Sequence, residues 1–133
     1  QWLNQVFCDE AFSADEQKQV LKKEVVTKDN EEYDTTGGGD CSDRVFLLSG
    51  EEAEELLASR KERTAEATEA AKEGEPGIFV SELNDNSFWW LRSPGGKQNC
   101  AQTVGAEGAV SVSGFLVSRT DIGVRPAIWV RAD

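Results

Sequence analysis

The chain has 133 residues, with 25 Asp and Glu against 14 Lys and Arg, no His, and a net charge of −11. Such a charge repels nucleic acid and anionic bilayers, so neither is an expected partner. The missing His removes imidazole acid–base chemistry and His-ligated metal sites, and no run of about 18 apolar residues is present to insert as a transmembrane helix.

The length fits one domain, residues 1–133. Hydrophobic residues make up 38%, with four Trp and six Phe, which is enough for a core. Met is absent, position 1 included, so the chain reads as an excised or processed piece. Cys8, Cys41 and Cys100 are widely spaced and form no Cys-x-x-Cys pair, so the expectation is three reduced, mostly buried thiols. No metal or other cofactor is expected. Residues 1–85 hold 22 acids and 9 bases, whereas residues 86–133 hold 3 and 5. The back also carries three of the four Trp and half of the 12 Gly. A charged, helical front and a strand-and-turn back predict an α+β fold with segregated elements.

In chain order, Trp2, Leu3, Val6 and Phe7 form an apolar stripe on a short helix. Ser13 and Glu16 form a capping box, and Val20 and Leu21 are expected to continue that helix. Glu24–Thr27 reads as a short strand. Residues 28–43, with six acids, Asp43 included, and Gly37-Gly38-Gly39 inside it, read as an exposed, mobile loop. Val45–Leu48 is a buried strand. Ser49 and Glu52 are a second capping box, opening a helix with Ala53, Leu56, Leu57 and Arg60 at helical spacing. Thr64–Lys72 reads either as a weakly anchored helix or as an ordered loop with a helical turn. Phe88–Leu91 is a strand stopped by Pro94-Gly95-Gly96. Residues 101–104, 109–112 and 115–117 are short strands split by Gly105, Gly108 and Gly114, with a hairpin at Gly105–Gly108. The apolar run Ala127–Val130 predicts a central strand covered on both faces.

Several strings are recognisable together: Trp2-Leu3-Asn4, Ala11-Phe12-Ser13, Val45–Ser49 with Glu52, Trp90-Leu91-Arg92-Ser93-Pro94-Gly95, and Gly123-Val124-Arg125-Pro126-Ala127-Ile128-Trp129. In this order they resemble a bacterial domain-of-unknown-function family, common in gut Firmicutes and their phages. That family is similar to a branch of the C-type-lectin-like superfamily, which also holds formylglycine-generating enzymes and retroelement-diversified variable proteins. The resemblance implies two helices on a small twisted antiparallel sheet, with long loops forming a binding face. It also implies a strand ahead of Trp2, before the first residue of this sequence. The active-site cysteines of the formylglycine-generating branch have no match here. Nor does the calcium loop of sugar-binding lectins, because Glu75-Pro76-Gly77 lacks its second side-chain oxygen.

The leading functional expectation is therefore a non-catalytic module that presents loops to a protein or glycan. The setting would be extracellular, on a cell or virion surface, and a diversified variable protein fits the same description. The alternative is an enzyme, or an enzyme-associated domain, acting on carbohydrate or polypeptide. The expected binding residues lie in loops hung on the skeleton. They are Asn86 and Ser87, Lys97, Gln98 and Asn99, Ala106 and Glu107, and Ser118, Arg119, Thr120 and Asp121, with Phe88 or Phe115 as apolar anchor. Arg92 and Arg125, each at a strand end near a Pro, are expected to tie loops together rather than bind a ligand. Of the adjacent Trp89 and Trp90, one should be core and the other should face outward.

Overall fold

The computed structural model describes residues 2–132, which fold as α+β with short helices and small antiparallel sheets. A π-helical turn, Leu3–Phe7, runs directly into α1, Cys8–Ala11. Helix α2 is Ala14–Gln17, followed by strands β1, Val20–Leu21, and β2, Lys23–Val25. Strands β3, Cys41–Asp43, and β4, Val45–Phe46, precede α3, Gly50–Leu56, α4, Arg60–Arg63, and α5, Glu69–Glu73. The back half supplies β5, Trp89–Pro94, β6, Cys100–Val104, β7, Val110–Leu116, and β8, Ala127–Val130.

The strands make three sheets, ordered β1-β8-β4, β2-β3 and β5-β6-β7. The last strand thus returns to the front half, since β8 pairs with both β1 and β4. The largest sheet carries the core. Trp89, Leu91 and Val104 pack with Phe46, Leu48 and Ala53, and Ala53 has no exposed surface at all. Helix α3 thus packs on the back-half sheet, as its apolar spacing predicts, touching β5 and β7. Its capping box is formed in full: the Ser49 hydroxyl accepts from Glu52 N, and the Glu52 carboxylate accepts from Ser49 N. The Ser13 box forms in the same way, and so does one at Ser59 that the sequence reading passed over.

Asn4, from the Trp-Leu-Asn string, pins the front to β3 and β4. Its Oδ1 accepts from Arg44 N and Val45 N at 2.7 and 3.0 Å, and its Nδ2 donates to Asp43 at 2.6 Å.

The short helical segment expected to carry Trp2, Leu3, Val6 and Phe7 forms, and its buried residue is Cys8. Several other expectations are corrected. Val20 and Leu21 do not continue a helix, because α2 ends at Gln17 and these β-branched and aliphatic residues pair with Val130 and Trp129 instead. The thiols are reduced, but Cys41 is exposed and Cys100 half-buried. Residues 28–43 are not a free loop. Asn30 and Thr35 bridge one another and are buried. Asn30 Nδ2 donates to Pro94 O and Val112 O, and Thr35 Oγ1 donates to Gly95 O, so this segment is strapped to the Pro94-Gly95 turn. Val110–Leu116 is one strand, with Gly114 inside it as a kink rather than a break. Strand β8 is central, as expected, but it is not covered on both faces: Trp129 is 43% exposed. Among the described residues the elements amount to five short α-helices and three small antiparallel sheets.

Candidate functional site

A cleft of about 890 Å³ opens between the two halves of the chain. Its walls are the end of β2 and the strap that follows it, Glu24–Glu31, on one side, and the start of α3 and the end of β5 on the other. Trp129 and Phe46 line it from β8 and β4. Their rings stack at 6.5 Å and 19°, and Lys23 Nζ lies 5.0 Å from the Trp129 centroid. The Trp129 indole is thus contacted by the Phe46 ring and the Lys23 ammonium while the residue stays 43% exposed.

Arg92 crosses the cleft's inner wall. Its guanidinium donates to Leu47 O at 2.9 Å, to Val26 O at 2.7 Å, and to the Glu52 carboxylate. One side chain thereby joins β5 to the end of β2, to the residue after β4, and to α3. This is the tying role expected of it. Burial by itself would raise the Glu52 carboxyl, but the Arg92 hydrogen bond, the Ser49 N–H and the Arg92 charge outweigh that and hold its pKa below the ordinary carboxylate value. A depressed folded-state pKa contributes stability above the unfolded-state value, and that contribution is lost as pH falls through the folded one. The domain is therefore expected to lose stability below about pH 4.5, with a shallower acid dependence in Glu52→Gln. Chemical denaturation between pH 3 and 7 checks this, and identical pH profiles for the two proteins would refute it.

The cleft is lined by five carboxylates, Glu24, Asp29, Glu31, Glu51 and Glu52, and by two cations, Lys28 and Arg92. Glu51 pairs with Lys28 at 3.1 Å across the mouth, and Asp29 accepts from Gly37 N at 2.9 Å. Among the described residues no group of three or more Cys, Asp or Glu stands close enough to hold a metal ion. The Gly37-Gly38-Gly39 run lies on the strap, where a Cβ on Gly37 would fall 2.2 Å from Thr27 O. Its glycine is needed for close backbone approach.

The expected loop residues divide into two groups. At one end of the largest sheet, Asn86 Nδ2 donates to Ala106 O at 3.0 Å, while Ser87 and Ala106 are buried and Glu107 is exposed. At the other, Lys97, Gln98 and Asn99 are exposed on the β5–β6 turn; Gln98 bonds to Thr36 of the strap, and Asn99 O accepts from Val117 N. Ser118, Arg119 and Thr120 follow, exposed, with Arg119 paired to Asp121 and lying 4.8 Å from the Phe115 centroid. Phe88 and Phe115 are 5.7 Å apart, and Phe79 is 5.5 Å from Phe88. The two aromatic anchors thus join one half-buried row, whereas the polar residues sit at its two ends.

A family model described as a domain of unknown function (DUF6273) matches residues 1–132. The chain belongs to the DUF6273 family. No curated protein and no solved structure matches it. The domain-of-unknown-function membership expected from the Trp-Leu-Arg-Ser-Pro-Gly and Gly-Val-Arg-Pro-Ala strings is thereby established. No helix of the DUF6273 domain, among the described residues, is long and apolar enough to cross a membrane.

Sequence reasoning did not find the cleft of this DUF6273 domain. Its walls come from residues 24–31, 46–52, 92–102 and 129, and the first of these is brought over the others by long-range bonds of Asn30, Thr35, Lys28 and Arg92. A single Asn inside an acidic run was the available signal. It is the one residue there with two amide donors, and buried amides are retained where carbonyls need them. Trp129 carried no such signal, since an apolar four-residue strand reads as fully covered.

Proposed function

We propose that the DUF6273 domain is a non-catalytic binding module of C-type-lectin-like kind whose main cleft holds a saccharide chain, displayed outside the cell or on a virion. The observation that carries this reading is Trp129: a large aromatic residue, 43% exposed, held by Phe46 and Lys23 at the wall of an 890 Å³ cleft. Sugar rings present C–H faces that stack on the electron-rich face of an indole. Around that residue stand carboxylates and a hydroxyl, among them Glu24, Glu31 and Thr27, suited to ring hydroxyl groups. The excess of carboxylates disfavours an anionic ligand and leaves a neutral polyol well accommodated. A hydrolytic role is not supported by the same geometry. Glu52 is held ionised by Arg92 and so is a poor proton donor, and the Ser93 hydroxyl is occupied by Gly50 N at 2.9 Å.

The exposed turn residues Lys97 and Asn99 with Ser118 and Thr120 support a second reading. They lie together where Val117 bonds to Asn99, on rigid strands of the largest sheet, and would form a loop face for a protein or glycan partner. Affinity electrophoresis in gels cast with bacterial and plant polysaccharides separates the readings. The parent chain is expected to be retarded by at least one polysaccharide and Trp129→Ala to run freely. Retardation unchanged by Trp129→Ala would remove the cleft from the account.

A further inference from the structure

Arg92 and Arg125 stand in similar sequence settings and end in different ones. Arg92 is matched by two carbonyls and a carboxylate. Arg125 is half-buried, and among the described residues no carboxylate pairs with it. Its guanidinium lies 4.9 Å from the Trp89 ring centroid, and its hydrogen bond to Arg63 O is long, at 3.5 Å. That carbonyl already accepts a 2.9 Å bond from Trp89 Nε1. A guanidinium has five N–H donors and remains charged at neutral pH, so most of its donors are left for another partner. A partly desolvated cation without a counter-charge is unfavourable until one arrives.

Arg125 lines a second cleft, of about 340 Å³. Ile78, Phe88 and Ala71 make its walls largely apolar. A second observation also points to a ligand here. Ser87, in the same wall, is 4% exposed, and its Oγ is buried without a hydrogen-bond partner. Glu66 is the only carboxylate among the lining residues.

We propose that this cleft takes a small carboxylate with an apolar body: the carboxylate sits on the Arg125 guanidinium, and the body lies against Ile78 and Phe88. The planar fork of Arg matches two carboxylate oxygens. One cation beside Glu66 suits a monoanion better than a doubly charged phosphate. The site shares no lining residue with the Trp129 cleft, so it stands or falls independently of the saccharide reading.

The test is a titration of phenylacetate into the full chain labelled with ¹⁵N, following the four indole N–H signals. The expected result is a saturable shift of the Trp89 indole, with Trp2, Trp90 and Trp129 unmoved and with no comparable shift from phenylacetamide or inorganic phosphate. Arg125→Gln should weaken phenylacetate at least about tenfold. Glu66→Gln, a rim change that leaves Arg125 in place, should tighten it severalfold, and it keeps the test decisive if Arg125→Gln does not fold. Absence of a Trp89 shift, an equal response to phosphate or to the amide, or an affinity unmoved by Arg125→Gln or by Glu66→Gln would each overturn the proposal.

Discussion

Arg92→Ala is expected to lower stability by about 3 kcal/mol, and the melting temperature by roughly 10 °C. The variant strands the Leu47 carbonyl, releases that of Val26, and leaves Glu52, already committed to the α3 N-terminus, without its cation. The pair is mostly screened from water, with the Arg92 side chain 15% exposed, so solvent does not replace the lost interactions cheaply. Arg92→Lys should recover little. An ammonium is a point charge on a flexible stem and cannot reach a carboxylate and two carbonyls in one plane. Thermal and urea melts of both variants check this. A parent-like midpoint for Arg92→Ala would mean that the three segments hold together without it.

Gly114→Ala is expected to cost about 3 kcal/mol or more. Gly114 has φ +63° inside β7, and a Cβ there would lie 1.8 Å from Ala101 O and 2.9 Å from Gln102 Cα. The left-handed conformation alone disfavours Ala by ~1–2 kcal/mol, and the backbone clash has no flexible side chain to yield. The bulge matters because the β6–β7 register shifts between Ala101 and Thr103, which is how the strand continues past this point. Gly39→Ala is the matching control. Nothing stands within 4 Å of its added Cβ, and its change should stay within ~0.5 kcal/mol. Equal effects at the two positions, read by urea denaturation, would contradict the register argument.

Legibility in the sequence followed the range of the interaction concerned. The capping boxes at Ser13 and Ser49 are local, four-residue chemistry and are formed as read. The hairpin at Gly105–Gly108 is local too: Gly108 takes φ +82°, and Gly105 N bonds to Ala109 O. The opposite facing of Trp89 and Trp90 follows from the pleat, and Trp89 is indeed the more deeply buried. What escaped the sequence was set by partners far along the chain. Val20 and Leu21 become strand because β8, more than a hundred residues later, offers them backbone partners. The acidic segment is ordered by Asn30 and Thr35 reaching residues 94, 95 and 112, contacts that no window of sequence displays. The two arginines read as one kind of residue because both precede a Pro-containing turn. Only the packing shows that Glu52 reaches Arg92 and that, among the described residues, no acid reaches Arg125.

The central claim is that the Trp129 cleft is the recognition site. It is tested most directly by calorimetric titration of the oligosaccharide that binds best on a glycan array. The titration is made into the parent, into Trp129→Ala, and into a variant with Lys97, Asn99, Arg119 and Asp121 all changed to Ala. The account predicts a loss of about 2 kcal/mol, roughly 30-fold in affinity, for Trp129→Ala, with the fourfold loop variant binding as the parent does. An affinity that survives Trp129→Ala and falls in the loop variant, or an array on which no saccharide binds, would contradict it.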